Sequence, residues 1–401
     1  MFQKLFLLFQ FFLFSLNLNM ISPLMNEISK DYEFFDLNSF FYIGGLSYLL
    51  VYIPMAITSI LFAFSKFTPS LHLLIGLTSI SNFTVFFGDS IWIFYLGHIT
   101  IGSCIGFAIP ILYQTAKQVD TNSKSIFVVI YANILIGVGL LFGQNVSAVV
   151  LDLKFHWSFP FLITGLFFLI NLMISNFSKI FVSYPQELKS LSQNLNLFHL
   201  FKSKERFKKS FLLLSQYLPG SIPWGALTVF IYPYMQELKI YSNVQITILI
   251  LFLSLGMILG SILAGVIKNK DSFKPEIFIL WTIVFTFCLS ILLVSGFVFL
   301  IGKLDFIYLL ITSFAMGIVL SFPGTMIKGL LYLDHNQEEI KSIFALENFL
   351  ESLGKGLGPF VMSLLLISID SYQIAFVFST LFWIICIVPI LIRMRMIKRL
   401  E

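Results

Sequence analysis

Twelve apolar stretches, each long enough to cross a bilayer as a helix, dominate this chain and leave little room for anything else. A crossing needs about 20 mostly apolar residues. The stretches lie near 5–25, 40–63, 71–89, 91–116, 125–150 and 157–178, and then near 210–235, 243–267, 277–300, 306–330, 342–368 and 372–392. The third and fourth are separated only around Gly88-Asp89-Ser90, and splitting them keeps the alternation of charge described next. Composition agrees with this reading. The chain is 58% hydrophobic and 11% charged, where a soluble domain runs at roughly 45–50% and about 25%. A polar coat over 401 residues cannot be built from that, so most of the exterior must face lipid. Met1 is followed by Lys4 and a long Phe/Leu run with no small-residue cleavage site, so the first stretch is expected to stay as a helix.

The basic residues divide unevenly between the two sets of connections. Of the 25 Lys and Arg, 20 fall on the side of both termini, among them Lys66, Lys268, Lys328, Lys341 and Arg393. Only Lys30, Lys154, Lys239 and Lys303 fall on the other, while the acidic residues divide evenly. Orientation follows Lys and Arg rather than net charge, so both termini are expected in the cytoplasm of a plasma (bacterial inner) membrane. The same placement argues against nucleic acid as a partner, because the formal charge of +5 sits in short connections between apolar runs. Cys104, Cys288 and Cys386 lie singly in different stretches, giving no disulfide set and no metal cluster.

Residues 179–209 are the only long polar connection, and their basic end, Lys202–Lys209, is expected to meet anionic lipid headgroups. They divide the chain into an N-terminal six-helix bundle (1–178), a cytoplasmic linker (179–209) and a C-terminal six-helix bundle (210–401). A weak echo joins the halves: Pro54–Lys66 and Leu259–Lys270 each end an apolar helix in small residues and a lysine. Internal repeats of this kind are common in secondary transporters. GxxxxGK[ST], HExxH and GxSxG are all absent, so neither nucleotide-driven transport nor hydrolysis is encoded, and no enzyme and no cofactor are expected. The expectation is an all-α polytopic membrane protein, monomeric, with membrane lipids and a small-molecule or lipid substrate as its partners.

This pattern resembles the major facilitator superfamily over essentially the whole chain. The resemblance implies twelve transmembrane helices in two six-helix bundles and transport by alternating access. Local motifs depart from the family pattern. After the second stretch the family has a glycine-led loop with an acidic residue and then basic ones; here Ser59–Lys66 carries Ala63 in the acidic place and keeps Lys66. Its counterpart Ser261–Lys268 has Gly265 there, which removes the acids of the usual charge-based lock. Where the fourth stretch often has arginine four residues before glycine, this chain has His98 before Gly102. Gly137, Gly139 and Gly143 look like a degraded glycine-rich motif for close helix packing. His156-Trp157-Ser158-Phe159-Pro160, with the Pro-rich entry of the seventh stretch and Pro233, is faintly similar to spinster-like lysolipid transporters.

One stretch carries ionisable groups at membrane depth, where they are expensive and mark function by default. Glu347, Glu351 and Lys355 are spaced four apart, so they share a helix face. One reading makes them an ion pair resting inside the bundle. The other makes Glu351 a proton acceptor alternating with an anionic substrate for Lys355. Gly354, Gly356, Gly358 and Pro359 serve either packing or bending. His98 is a second coupling candidate, with a structural role equally open. Asn17, Asn19, Gln114, Asn133, Gln144 and Asn348 are candidates for lining a cavity, as are Tyr217 and Trp224 beside a break expected at Pro219–Gly225. So few charges fit an amphiphile with one charged headgroup, such as a lysophospholipid. Hydrophobic small-molecule or drug efflux, solute uptake, and a non-transporting scaffold or receptor stand beside it.

Overall fold

The computed structural model describes residues 2–33, 40–64, 69–119, 127–178, 204–269, 276–335 and 337–398, and every regular element among them is helical. α1 (Phe2–Ser15) passes through a 3₁₀ turn at Leu16–Leu18 into α2 (Ile21–Asp31). A π-helical turn, Phe40–Leu46, leads into α3 (Ser47–Phe64). Then come α4 (Leu71–Phe87), α5 (Ile91–Val119), α6 (Phe127–Asp152) and α7 (Phe159–Ser178). The second part of the chain holds α8 (Lys204–Leu214), α9 (Tyr217–Glu237), α10 (Asn243–Asn269) and α11 (Glu276–Leu300). It closes with α12 (Phe306–Asp334), α13 (Gln337–Ile369), α14 (Tyr372–Thr380) and α15 (Phe382–Lys398).

Ten of the described segments are long and apolar enough to cross a membrane. The chain is therefore an all-α, multi-pass membrane protein. Of the twelve expected crossings, α4 falls short in length at 17 residues, and α9 is not among the ten. The split of the third and fourth stretches is present: α4 ends at Gly88 in extended conformation and α5 starts at Ile91. The outer surface carries Trp92, Phe285, Leu292 and Ile307 in the open, as helices facing hydrocarbon require.

Small residues bring particular helices together. α1 packs on α6, α3 on α5, α9 on α13 and α10 on α12. At each contact a glycine admits the neighbouring backbone. A Cβ at Gly139 would fall on the Phe12 carbonyl oxygen, at Gly102 on that of Val51, at Gly358 on that of Ile222, and at Gly317 on that of Leu253. Without a hydrophobic drive between helices in lipid, such close van der Waals contact is a main source of association. The spacing Gly-x-x-x-Gly occurs at Gly102/Gly106, Gly139/Gly143, Gly256/Gly260 and Gly354/Gly358, on four of these packing helices.

Two expectations about these elements change. Pro219–Gly225 does not break the seventh segment, because α9 runs from Tyr217 through Pro223 and Pro233. The interruption lies earlier, at Ser215–Gln216 between α8 and α9. Pro219 then sits in the first turn of α9, where the missing N–H had no partner to lose. The linker expected at 179–209 is helical from Lys204 onward, and residues 179–203 lie outside the described residues.

Contacts between the elements before residue 179 and those after 203 occur toward both ends of the helices. At the end carrying Asp31, Asp152 and Glu237, Asn26 donates to Gln236 (3.2 Å) and Asn243 to Asp152 (3.1 Å), and nearer the middle Ser22 donates to the Val229 carbonyl (2.7 Å). Toward the opposite end, Asn348 donates to Ser59 (2.6 Å), Tyr113 stacks on Phe344 at 4.3 Å, and Lys341 lies 4.2 Å over the Phe62 ring.

Candidate functional site

The charged stripe on α13 meets a fourth charge that the sequence had placed elsewhere. Lys328 was counted among the basic residues of the connections, but α12 continues to Asp334, so Lys328 lies inside the helix and is buried. This corrects the earlier assignment. The helix outlasts its apolar stretch, and a lysine one and a half turns from its end can point inward. Lys328 Nζ donates to Glu351 Oε2 at 2.9 Å and lies 3.1 Å from Glu347 Oε1. Lys355 Nζ lies 2.5 Å from the other Glu351 oxygen, Oε1. The four groups form a chain, Glu347–Lys328–Glu351–Lys355, in which Lys328 and Glu351 each hold two partners.

Burial differs along this chain, and the difference separates its parts. The Glu347 side chain is 1% exposed and that of Lys328 9%, while that of Glu351 is 18% exposed. Lys328, Glu351 and Lys355 line a cavity of about 160 Å³, and Glu347 does not. Two charges are removed from water most fully at the Glu347–Lys328 end, where loss of either partner leaves an uncompensated charge. The most accessible of the four groups is the carboxylate of Glu351, and Lys355, at 11%, is about as buried as Lys328.

The remaining wall comes from α6, α9, α10, α11, α12 and α15. Asn133, Tyr217, Trp224 and Gly137 are among the residues that line it. Asn133 reaches Thr325 at 3.4 Å and receives the Tyr113 hydroxyl at 3.4 Å. Gly137 is corrected as a packing residue: a Cβ there would meet nothing within 4 Å, because the position faces open space. Gly139 and Gly143 do pack, against Phe12, Ser15 and Leu16, and Gly354 and Gly358 pack against Leu218 and Ile222. Gly356 lies against Tyr52 of α3, and Pro359 sits inside α13 without ending it.

Other candidates are spread around this centre. Asn19 and Gln144 line a neighbouring recess of about 20 Å³ that shares Gly137, Leu140, Trp224 and Met257 with the larger cavity. Gln144 also donates to Ser22 at 3.4 Å. Asn17 is buried in the 3₁₀ turn, with neither amide atom hydrogen-bonded. Gln114 is buried on α5 and Asn348 is engaged with Ser59, and neither lines the cavity. His98 is buried among Phe94 and Phe161, with Nδ1 2.7 Å from the Phe94 carbonyl. That places it in packed aromatic surroundings away from the charged chain, where the sequence had it as a coupling candidate. Lys66 lies outside the described residues.

Sequence reasoning missed Lys328 and Gln216, which also lines the cavity. A signal for Lys328 existed, since 306–330 already contained it. The same signal existed for Gln216, a polar residue inside the apolar stretch 210–235. Among the described residues no group of three or more His, Cys, Asp or Glu is placed to hold a metal ion.

No individual curated protein matches the sequence. The family model of the Major Facilitator Superfamily matches residues 7–359, a range that runs from α1 through the charged stripe of α13. A polytopic helical chain with a charged, half-buried cavity and this match is a membrane transporter rather than an enzyme: it belongs to the major facilitator superfamily.

Proposed function

We propose that the chain is a proton-coupled secondary active transporter of a small organic anion, working by alternating access between two six-helix halves with both termini in the cytoplasm. The observation that carries this reading is the chain Glu347–Lys328–Glu351–Lys355, open to a cavity at its Glu351–Lys355 end. Its four formal charges sum to zero. An anion that enters on Lys355 competes with Glu351, and although Glu351 keeps Lys328, the group then carries one net negative charge deep in the bundle, which is costly unless it takes a proton. One proton then travels with one negative charge. Glu347–Lys328 stays fixed and holds α12 against α13, which assigns the resting ion pair to one end of the network and the working pair to the other.

Size guides the substrate class. About 160 Å³ is comparable to an engineered cavity that admits a benzene. It suits a compact solute with an apolar body against Trp224, Trp383 and Phe287 and one anionic group. A lysophospholipid shares the single anionic group, but its acyl chain needs a larger opening than this conformation offers.

The test is uptake into vesicles holding the purified protein, with an inward proton gradient and a panel of radiolabelled monocarboxylates. The wild type should accumulate at least one of them when the outside is acidified. Glu351→Gln should lose this stimulation while retaining exchange of substrate across the bilayer. Equal proton stimulation of wild type and Glu351→Gln would refute the coupling role.

A further inference from the structure

Three openings lie one beyond another along the same helices. On α6 the charged cavity is lined from Asn133 to Leu140, the small recess beyond it as far as Gln144, and a third recess at Leu151. On α9 the succession is Trp224, Ile231 and Gln236, and on α10, which runs the opposite way, Met257, Ile250 and Asn243. The third recess has a volume of about 660 Å³ and lies at the end carrying Asp31. At 1.5 Å per residue, Gln144 and Leu151 are about 10 Å apart along the helix axis. Within that interval Ser22 closes the seam, donating to the Val229 carbonyl at 2.7 Å and receiving Gln144 at 3.4 Å.

The third recess presents a cation that the fold itself does not engage. Lys30 pairs with Glu27 at 2.6 Å, and Asp31 accepts from Trp157 and lies 2.9 Å from His156. Lys154 lines the same recess, is exposed, and makes no ion pair among the described residues. Its backbone has φ +59°. Its N–H donates to the Leu151 carbonyl at 2.9 Å, and that of Phe155 to the Val150 carbonyl at 3.1 Å. This is the helix-ending turn whose left-handed residue is usually glycine. Glu33, Lys239 and Asp370 share the positive φ, but of the four only Lys154 lines this recess. A lysine in a glycine's place gives up backbone ease. What the position gains is a charge, next to a Phe155 ring that is 50% exposed and lines the recess as well.

We propose that this recess is an outer capture site for the transported monoanion, with Lys154 as its docking cation and Phe155 against the apolar body. From there the substrate reaches the charged cavity along the seam of α2, α6, α9 and α10 once Ser22 lets go of Val229. This rests on the transport reading above and adds to it a contact that takes no part in the charged chain of α12 and α13. A cation at such a mouth acts on the rate of capture, and its effect falls with salt.

The experiment measures KM and Vmax for vesicle uptake of radiolabelled propionate, lactate and benzoate at low salt. Lys154→Gly removes the cation and suits the backbone, so Tm should hold or rise. Its KM should rise by about 3-fold or more with Vmax within about 2-fold of wild type. The difference should fade at about 1 M salt, where the screening length is about 3 Å. Lys154→Cys, treated from outside with membrane-impermeant methanethiosulfonates, takes either a trimethylammonium or a sulfonate at one position. The cationic adduct should have a KM near that of wild type and the anionic adduct one about 10-fold higher. Wild type treated alike controls for Cys104, Cys288 and Cys386.

Equal KM for the two adducts would overturn the capture site and leave the central anion reading standing. So would a risen KM in Lys154→Gly accompanied by a fallen Tm, since Lys154 would then serve the fold. Accumulation of none of the three acids by wild type would overturn both.

Discussion

Glu351 is the only side chain in the network that touches both lysines, and each neighbour loses something different when it is replaced. Lys355→Ala leaves Glu351 paired with Lys328, whereas Lys328→Ala leaves Glu347 buried with no cation beside it. Breaking a buried pair from one side costs about 3–5 kcal/mol when nothing compensates. Lys328→Ala should therefore lower the melting temperature in detergent clearly more than Lys355→Ala. Loss of transport should rank the other way per degree of destabilisation. A larger Tm loss in Lys355→Ala would contradict the assignment of fixed and working pairs. The α13 stripe was legible because residues four apart share a face and charge at membrane depth is rare. Lys328 was not, because counting by connections takes any lysine near the end of an apolar stretch as a loop residue. Helices extend past the hydrocarbon they span, and only tertiary packing says whether such a lysine turns outward to water or inward to a carboxylate.

At the level of helices, the seams make a sharp contrast possible within one short segment. On α6, Gly143 abuts the Leu16 backbone, while Gly137 faces open space. Gly143→Ala should destabilise the protein by about 1–3 kcal/mol, the usual cost of overpacking. Gly137→Ala should leave thermal stability unchanged within about 0.5 kcal/mol, as substitutions away from packed features usually do. Thermal unfolding of the two variants side by side reads the difference, and equal losses would mean that α6 faces the cavity on another side. The glycine pattern was visible in sequence, but its division into packing and cavity positions was not. Gly137, Gly139 and Gly143 look alike as residues, and the rotation of α6 against α1 decides which of them meets backbone. The seventh segment was misread for a related reason: a proline-rich stretch signals a break only when its N–H groups would otherwise be needed, and Pro219 stands in a first turn.

For the whole molecule, the two parts of the chain touch toward both ends, and the contacts are mostly uncharged. Asn26–Gln236 at one end and Ser59–Asn348 at the other are amide and hydroxyl contacts, in keeping with the missing acids at Ala63 and Gly265. Alternating access requires one set to part while the other holds. Cysteines at 26 and 236, joined by a short bifunctional thiol reagent, should stop vesicle uptake, and a cleavable reagent should restore it on reduction. The pair at 59 and 348 should behave the same way. Uptake that continues with either pair fully cross-linked would show that the two parts do not separate there. The twelve apolar stretches made the class of molecule readable from sequence, since hydrocarbon admits few backbones. Which faces of the stretches meet was not readable, because a helix surrounded by lipid carries little polar patterning to mark its inner side.

Arg393 near the end of α15 is 1% exposed and donates to Glu276 of α11 at 2.6 Å, to Asp334 of α12 at 3.1 Å and to the Lys209 carbonyl of α8 at 3.0 Å. Its partners precede it by 117, 59 and 184 residues. During synthesis, then, three earlier helices must wait for the final one before their shared end can be tied. Arg393 is a late fastener, and a nascent chain arrested before it would expose two carboxylates and a carbonyl as the mark of an unfinished protein.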